Sequence, residues 1–179
     1  MIIFGVDPGT IITGFGVIRY EKNEITYMDS GIIKPNPHFA IASKLQFIYT
    51  ELDRLIKKHK PDEFSLETAF YGKNIQSALK IGYARGVSML AAANNQIPLG
   101  EYSPREVKKA VVGKGGASKE QVFYMIQKLM NIKDEKIKHD ESDALAVAVC
   151  HSFKMKSFSG KNGNWKDFVK ANPDKIINN

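Results

Sequence analysis

One cysteine, Cys150, stands among 179 residues, so no intrachain disulfide can form. It sits in an apolar stretch and reads as a small buried hydrophobe of a protein kept in a reducing compartment. No apolar run approaches the ~18–20 residues that a membrane span requires. Met1 leads directly into Ile2-Ile3-Phe4-Gly5-Val6, without a basic segment or cleavage site, so no signal peptide is expected. No internal repeat is evident. With 43% hydrophobic and 25% charged residues, the expectation is one soluble, cytosolic globular domain.

Acidic residues are outnumbered, 19 against 26 basic ones, giving a net charge of +7 and a pI near 9.4. A basic balance points weakly to a polyanionic partner. Its distribution says more: from Lys154 onward six lysines face two aspartates, so the tail holds +4 of the +7. The expected division is a folded domain over 1–153 and a basic, flexible or peripheral tail over 154–179.

Period-two patterning predicts strands over 2–7, 13–20 and 24–34, an antiparallel meander closed by the break Lys34-Pro35-Asn36-Pro37. Apolar residues at 41, 45, 48, 52, 55 and 56 predict a helix from about 40 to 58. A strand at 63–67, a helix from about 75 to 94 and a strand at 97–102 follow. Ser103-Pro104 opens the next helix, and Ser118 with Gln121 forms a capping-box-like start for another. The last helix is expected over about 140–153. A meander followed by alternating helix and strand predicts an α/β fold, a mixed five-stranded sheet with helices on both faces, in RNase H-like order. Gly14-Phe15-Gly16 is glycine-rich for a strand, which suggests that another backbone comes close beside Asp7.

Four carboxylates stand where strands end or a helix begins: Asp7, Glu67, Asp140 and Asp143. If the strands ending at Asp7 and Glu67 are parallel neighbours, both acids leave the same edge of the sheet. Asp140 and Asp143, three apart on a helix, are neighbours and can complete the cluster. Unit charges ~4 Å apart repel by roughly 4 kcal/mol at an effective dielectric near 20. A divalent cation reverses that repulsion, and all-oxygen ligation suits Mg²⁺ or Mn²⁺. Two such ions, ~3.5–4 Å apart, would suit phosphodiester hydrolysis. Singly, each acid also has an ordinary structural reading: Asp140 as a helix N-cap, Asp143 as a first-turn acid, Asp7 as a turn residue.

Ile3-Phe4-Gly5-Val6-Asp7-Pro8-Gly9-Thr10, Leu66-Glu67-Thr68-Ala69-Phe70 and Asp140-Glu141-Ser142-Asp143-Ala144-Leu145-Ala146 resemble the three acidic motifs of RuvC-type Holliday junction resolvases. Stretches from Lys73 to Gly86 and from Val107 to Lys119 match as well. The resemblance implies a homodimeric, Mg²⁺-dependent endonuclease that nicks four-way junction DNA symmetrically and cooperates with a RuvA-RuvB-like branch-migration motor. It assigns metal binding and catalysis to Asp7, Glu67, Asp140 and Asp143. It makes Phe70 an aromatic that inserts at the junction, and Lys108 and Lys119 DNA contacts. Lys114 falls where the family pattern is not fixed and is expected as a phosphate contact from its glycine loop. The family pairs its subunits through the 75–94 helix, where Ala78, Gly82 and Gly86 would let a second helix approach. Packing on the same subunit's sheet is the alternative use of those small residues. Arg85 could serve either the dimer or the DNA side.

Two rival readings remain at this level. Asp7-Pro8-Gly9-Thr10 also resembles the first phosphate loop of actin-like ATPases and sugar kinases, but those need a second lobe and a second Asp-x-Gly loop. A junction-binding protein without catalysis is opposed by the intact acidic quartet. The glycine run at 113–116 lacks the spacing of a P-loop.

Overall fold

The computed structural model describes residues 1–68, 75–132 and 137–159. The chain runs β1 (Ile2–Asp7), β2 (Thr13–Glu21), β3 (Glu24–Ile33), α1 (Ile41–His59), β4 (Glu63–Glu67), α2 (Ile75–Asn94), β5 (Leu99–Tyr102), α3 (Pro104–Val112), α4 (Lys119–Met130) and α5 (His139–Ser159). The strands form one sheet in the order β3-β2-β1-β4-β5. β1, β2 and β3 are antiparallel, whereas β4 and β5 run parallel to β1. This is the mixed RNase H-like sheet expected from the order of elements. Lys22 and Asn23 join β2 to β3 with φ of 49° and 69°, the pair of left-handed residues that a two-residue hairpin turn requires.

Side-chain alternation sends the two faces of the sheet to two cores. Phe4, Val6, Phe15, Val17, Phe64 and Leu66 pack under α1 and α2. The Phe4 ring stacks between Phe15 and Phe64, at centroid distances of 5.8 and 5.5 Å, tying three strands together. Ile3, Ile18 and Ile25 face the other way, toward α3, α4 and α5. α5 is apolar on all sides from Ala144 to Cys150 and is fully buried there, the signature of a central helix.

α5 reaches the sheet because the strands beneath it carry glycine. A methyl on Gly5 would overlap the Ala144 carbonyl, one on Gly14 the Asp140 carbonyl, and one on Gly16 the Leu145 side chain at 2.7 Å. The close approach read from Gly14 and Gly16 is therefore by α5 itself. Farther along, Gly100 makes the same kind of room for His151, whose Nδ1 lies 2.9 Å from the Tyr102 hydroxyl.

Three boundaries differ from expectation. β5 starts at Leu99 rather than 97, because the Ile97 amide bonds back to Ala92 and Pro98 has no amide to offer. α5 starts at His139, so Asp140 is its second residue and not its cap. α5 also continues past 153 to Ser159, with Phe153 packed on the core and Lys154 reaching Glu106 at 3.2 Å. Residues 160–179 lie outside the described residues. Among the described residues, no helix is long and apolar enough to cross a membrane.

Gly14→Ala should lower stability by about 1–3 kcal/mol in urea denaturation, because backbone must move to admit the methyl. Gly116→Ala, which meets open space, serves as the control. Equal midpoints for the two variants would contradict the seating of α5 on β2.

Candidate active site

Asp7 is the last residue of β1 and shares its face with Ile3 and Gly5, so its side chain turns toward α5. β4 lies parallel to β1 with Val6 opposite Leu66, which leaves Asp7 and Glu67 side by side at the same sheet edge. Glu67 shares its face with Ser65 and Glu63; Glu63 meets His151 of α5 at 3.4 Å. Both strands therefore aim their terminal acids at one helix. That helix delivers Asp140 and Asp143 in its first turns.

The electrostatics record how closely these groups meet. Burial, then the charge of Asp143, pushes the Asp7 carboxyl up to about 6, and Asp140 adds to the effect. Burial, then the charge of Asp7, pushes Glu67 up to about 8. Their mutual contact partly offsets the rise at Asp7 and adds to that at Glu67, the directions of one proton held on the Glu67 side. A like-charged pair removed from water holds a proton between them for this reason.

Lys119, the first residue of α4, brings a cation to these acids: its Nζ is 3.1 Å from Asp143 Oδ2. Ser118 places it through a reciprocal cap with Gln121, as the sequence suggested. Glu67, Asp143, Lys108 and Lys119 line one cleft of about 170 Å³, walled by Pro104, Val107 and Val122. The two lysines expected at the DNA thus share a cleft with two of the four acids. Lys114, in the exposed loop between α3 and α4, is not among the cleft's lining residues. Phe70 lies outside the described residues.

The donor set has the chemistry for a hard divalent cation: carboxylate oxygens, two of them desolvated and mutually repelling. Among the described residues, no three His, Cys, Asp or Glu side chains are placed so that they could together hold a metal ion as they stand. The raised values of Glu67 and Asp7 favour a proton held there, and Asp143 is paired with Lys119. The residues fit a cation that displaces this proton and this ammonium.

On α2, Ala84, Ser88, Ala91 and Ala92 face inward, whereas Gly82 and Gly86 are exposed and meet nothing within 4 Å. Packing on the subunit's own sheet therefore does not explain those two glycines; Ala78 is half-buried. Arg85 pairs with Glu101 of β5. Sequence reasoning missed the Lys119–Asp143 pair and Glu141. Glu141 accepts from Ser30 Oγ at 2.7 Å, 111 positions away, a separation that no local pattern reveals.

The family model "Crossover junction endodeoxyribonuclease RuvC" matches residues 3–151. The protein of that name from Chloroherpeton thalassium is 45% identical over 99% of this chain and 100% of its own. The one from Porphyromonas gingivalis is 43% identical over 98% and 96%. The Thermus thermophilus RuvC structure superposes with a TM-score of 0.81 at 27% identity, covering 88% of this chain and 97% of that one. Thermus thermophilus RuvC in complex with a Holliday junction substrate gives 0.83 at 26% identity, over 89% and 97%. With its acids gathered at one sheet edge on this fold, the chain belongs to the RuvC family of crossover junction endodeoxyribonucleases.

Proposed function

We propose that this chain is a Mg²⁺-dependent endonuclease that resolves four-way (Holliday) DNA junctions by paired symmetric nicks, in recombination and repair. The observation that carries the reading is the convergence of Asp7 and Glu67, from adjacent parallel strands, on the α5 turn bearing Asp140 and Asp143. The Thermus relative whose fold this chain shares was solved with junction DNA, which supports the substrate.

Asp7 and Glu67 would hold the metal, with Asp140 and Asp143 completing the shell or orienting water. Two Mg²⁺ ions, or Mn²⁺ in their place, would supply an activated water and stabilise the leaving oxygen. The protein's own contribution is a buried acid edge. Its carboxyls would hold such ions in their ionised form. Lys108 and Lys119 sit where a phosphate entering the cleft meets them, and Lys119 can exchange Asp143 for that phosphate. Phe70, stacking at the opened junction, and Lys114, on the backbone, complete the proposed DNA contacts.

Resolution needs two coordinated cuts, and a two-fold dimer presents two identical sites. The outward face of α2 supports such a dimer: Gly82 and Gly86 leave a shallow floor. Ile75, Leu79, Tyr83 and Leu90 stand exposed at 75, 53, 47 and 52%. A second copy would cover them. The proposed setting is a bacterial-type cytoplasm, beside a RuvA-RuvB-like motor.

Single-turnover cleavage of a synthetic four-way junction with Mg²⁺, beside a linear duplex of the same sequence, tests the reading. Paired nicks confined to the junction are expected; equal cutting of both DNAs would overturn junction selectivity. Asp7→Asn should abolish cleavage while junction binding persists, and a variant that still cuts would remove Asp7 from catalysis.

The raised carboxyls also make a pH prediction. A group whose folded pKa lies above its unfolded value stabilises the protein at low pH and loses that contribution as pH rises through the folded value. Metal-free stability should therefore fall from about pH 5 to 8, by on the order of 2 kcal/mol, in denaturant titrations. Glu67→Gln should flatten that slope. An unchanged slope in the variant would contradict the shared proton.

A further inference from the structure

We infer that Glu141 is a positioning residue: with Ser30 and Tyr27 of β3 it clamps the first turn of α5 and thereby sets how tightly the acidic site holds a divalent cation. The inference rests on the metal reading above and adds a residue pair to it.

Lys138, which precedes the first residue of α5, has no side-chain acceptor to offer the free amides of the helix start. Glu141, third in the helix, does the work from the other side. Its Oε1 accepts from the Lys138 amide at 3.4 Å, half of a capping box. Its Oε2 accepts from Ser30 Oγ at 2.7 Å, and Ser30 Oγ lies 3.2 Å from the Tyr27 hydroxyl. With Ser30 donating to the carboxylate, Tyr27 is the donor to Ser30.

An irregularity in β3 makes this arrangement possible. Register shifts where Val17 and Ile18 pair with Asp29 and Tyr27, so Met28 is skipped. In a regular strand Tyr27 and Ser30, three apart, would face opposite ways. Here Ser30 pairs with Gly16 and Tyr27 with Ile18, both of which face α5. Met28 turns to the opposite core and Asp29 to Lys58 of α1.

Glu141 lies between Asp140 and Asp143 in the chain, yet both of its oxygens are engaged away from them. It fixes the turn on which those two acids ride and is not itself a ligand. Such outer partners commonly govern metal affinity by about 10–100-fold.

Mn²⁺ titration of the DNA-free protein by calorimetry, with thermal unfolding as the folding control, tests the clamp. Glu141→Ala should weaken Mn²⁺ binding about 10-fold and Ser30→Ala several-fold. The double variant should be no weaker than Glu141→Ala alone, because the two share one bond. Glu141→Gln, whose amide oxygen can still accept from Ser30, should retain most of the affinity. Cleavage should follow as a raised Mg²⁺ requirement, with the rate largely restored at saturation.

Wild-type affinity in Ser30→Ala would overturn the clamp. So would Glu141→Gln as weak as Glu141→Ala, which would make charge or direct ligation the cause. If Glu141→Ala does not fold, Ser30→Ala, which removes one hydroxyl and leaves every charge, decides the matter. A wild-type chain that binds no Mn²⁺ would sink the metal reading itself, a result distinct from any of these.

Discussion

The distance between α5 and the sheet governs everything else in this molecule. Gly5, Gly14 and Gly16 form a floor without side chains, and the helix backbone rests on it around Asp140, Ala144 and Leu145. With an ordinary β-branched residue at any of the three, α5 would stand off by roughly a side-chain diameter. Asp140 and Asp143 would then leave the edge where β1 and β4 end. Glycine is a poor strand residue, and its cost here is offset by the full burial of the Ala144–Cys150 segment of α5 against the sheet. The far end of α5 is held too, by His151 against Tyr102 and Glu63. Burial holds His151 down near 4, so it packs as a neutral ring.

Close seating creates an electrostatic problem that is also the site's chemistry. Carboxylates brought together and desolvated resist ionisation, as the raised values of Asp7 and Glu67 record. The structure answers with a proton favoured at Asp7 and Glu67 and with Lys119 beside Asp143. Both answers are exchangeable. A divalent cation can take the proton's place, and a phosphate can take Asp143's place at Lys119. An acid edge that is uncomfortable when empty of positive charge is a good trap for it.

Much of this was legible in the chain because the signals were local. The strand ends at Asp7 and Glu67, the caps at Ser103 and Ser118 and the 3.6-residue stripe of α1 each announce themselves within a few residues. The glycines of β2 signalled a close approach but could not say by what. Contacts across the chain left no such mark. Lys119 meeting Asp143, Glu141 meeting Ser30, and Gly82 and Gly86 facing outward all depend on how elements pack. Helix ends misled for a related reason. The last helix was expected to end near 153, yet α5 runs on to Ser159, and Lys154 reaches Glu106 on α3, a contact between distant segments that no local pattern announces.

The most direct test of the acidic site is anomalous diffraction from crystals of the protein soaked in Mn²⁺. Density is expected within about 2.1–2.3 Å of the Asp7 and Glu67 carboxylates, with Asp140 or Asp143 bound directly or through water. Lys119 should have turned away from Asp143. Manganese found elsewhere, or absent from the Asp7–Glu67 edge, would contradict a metal site built by the seating of α5.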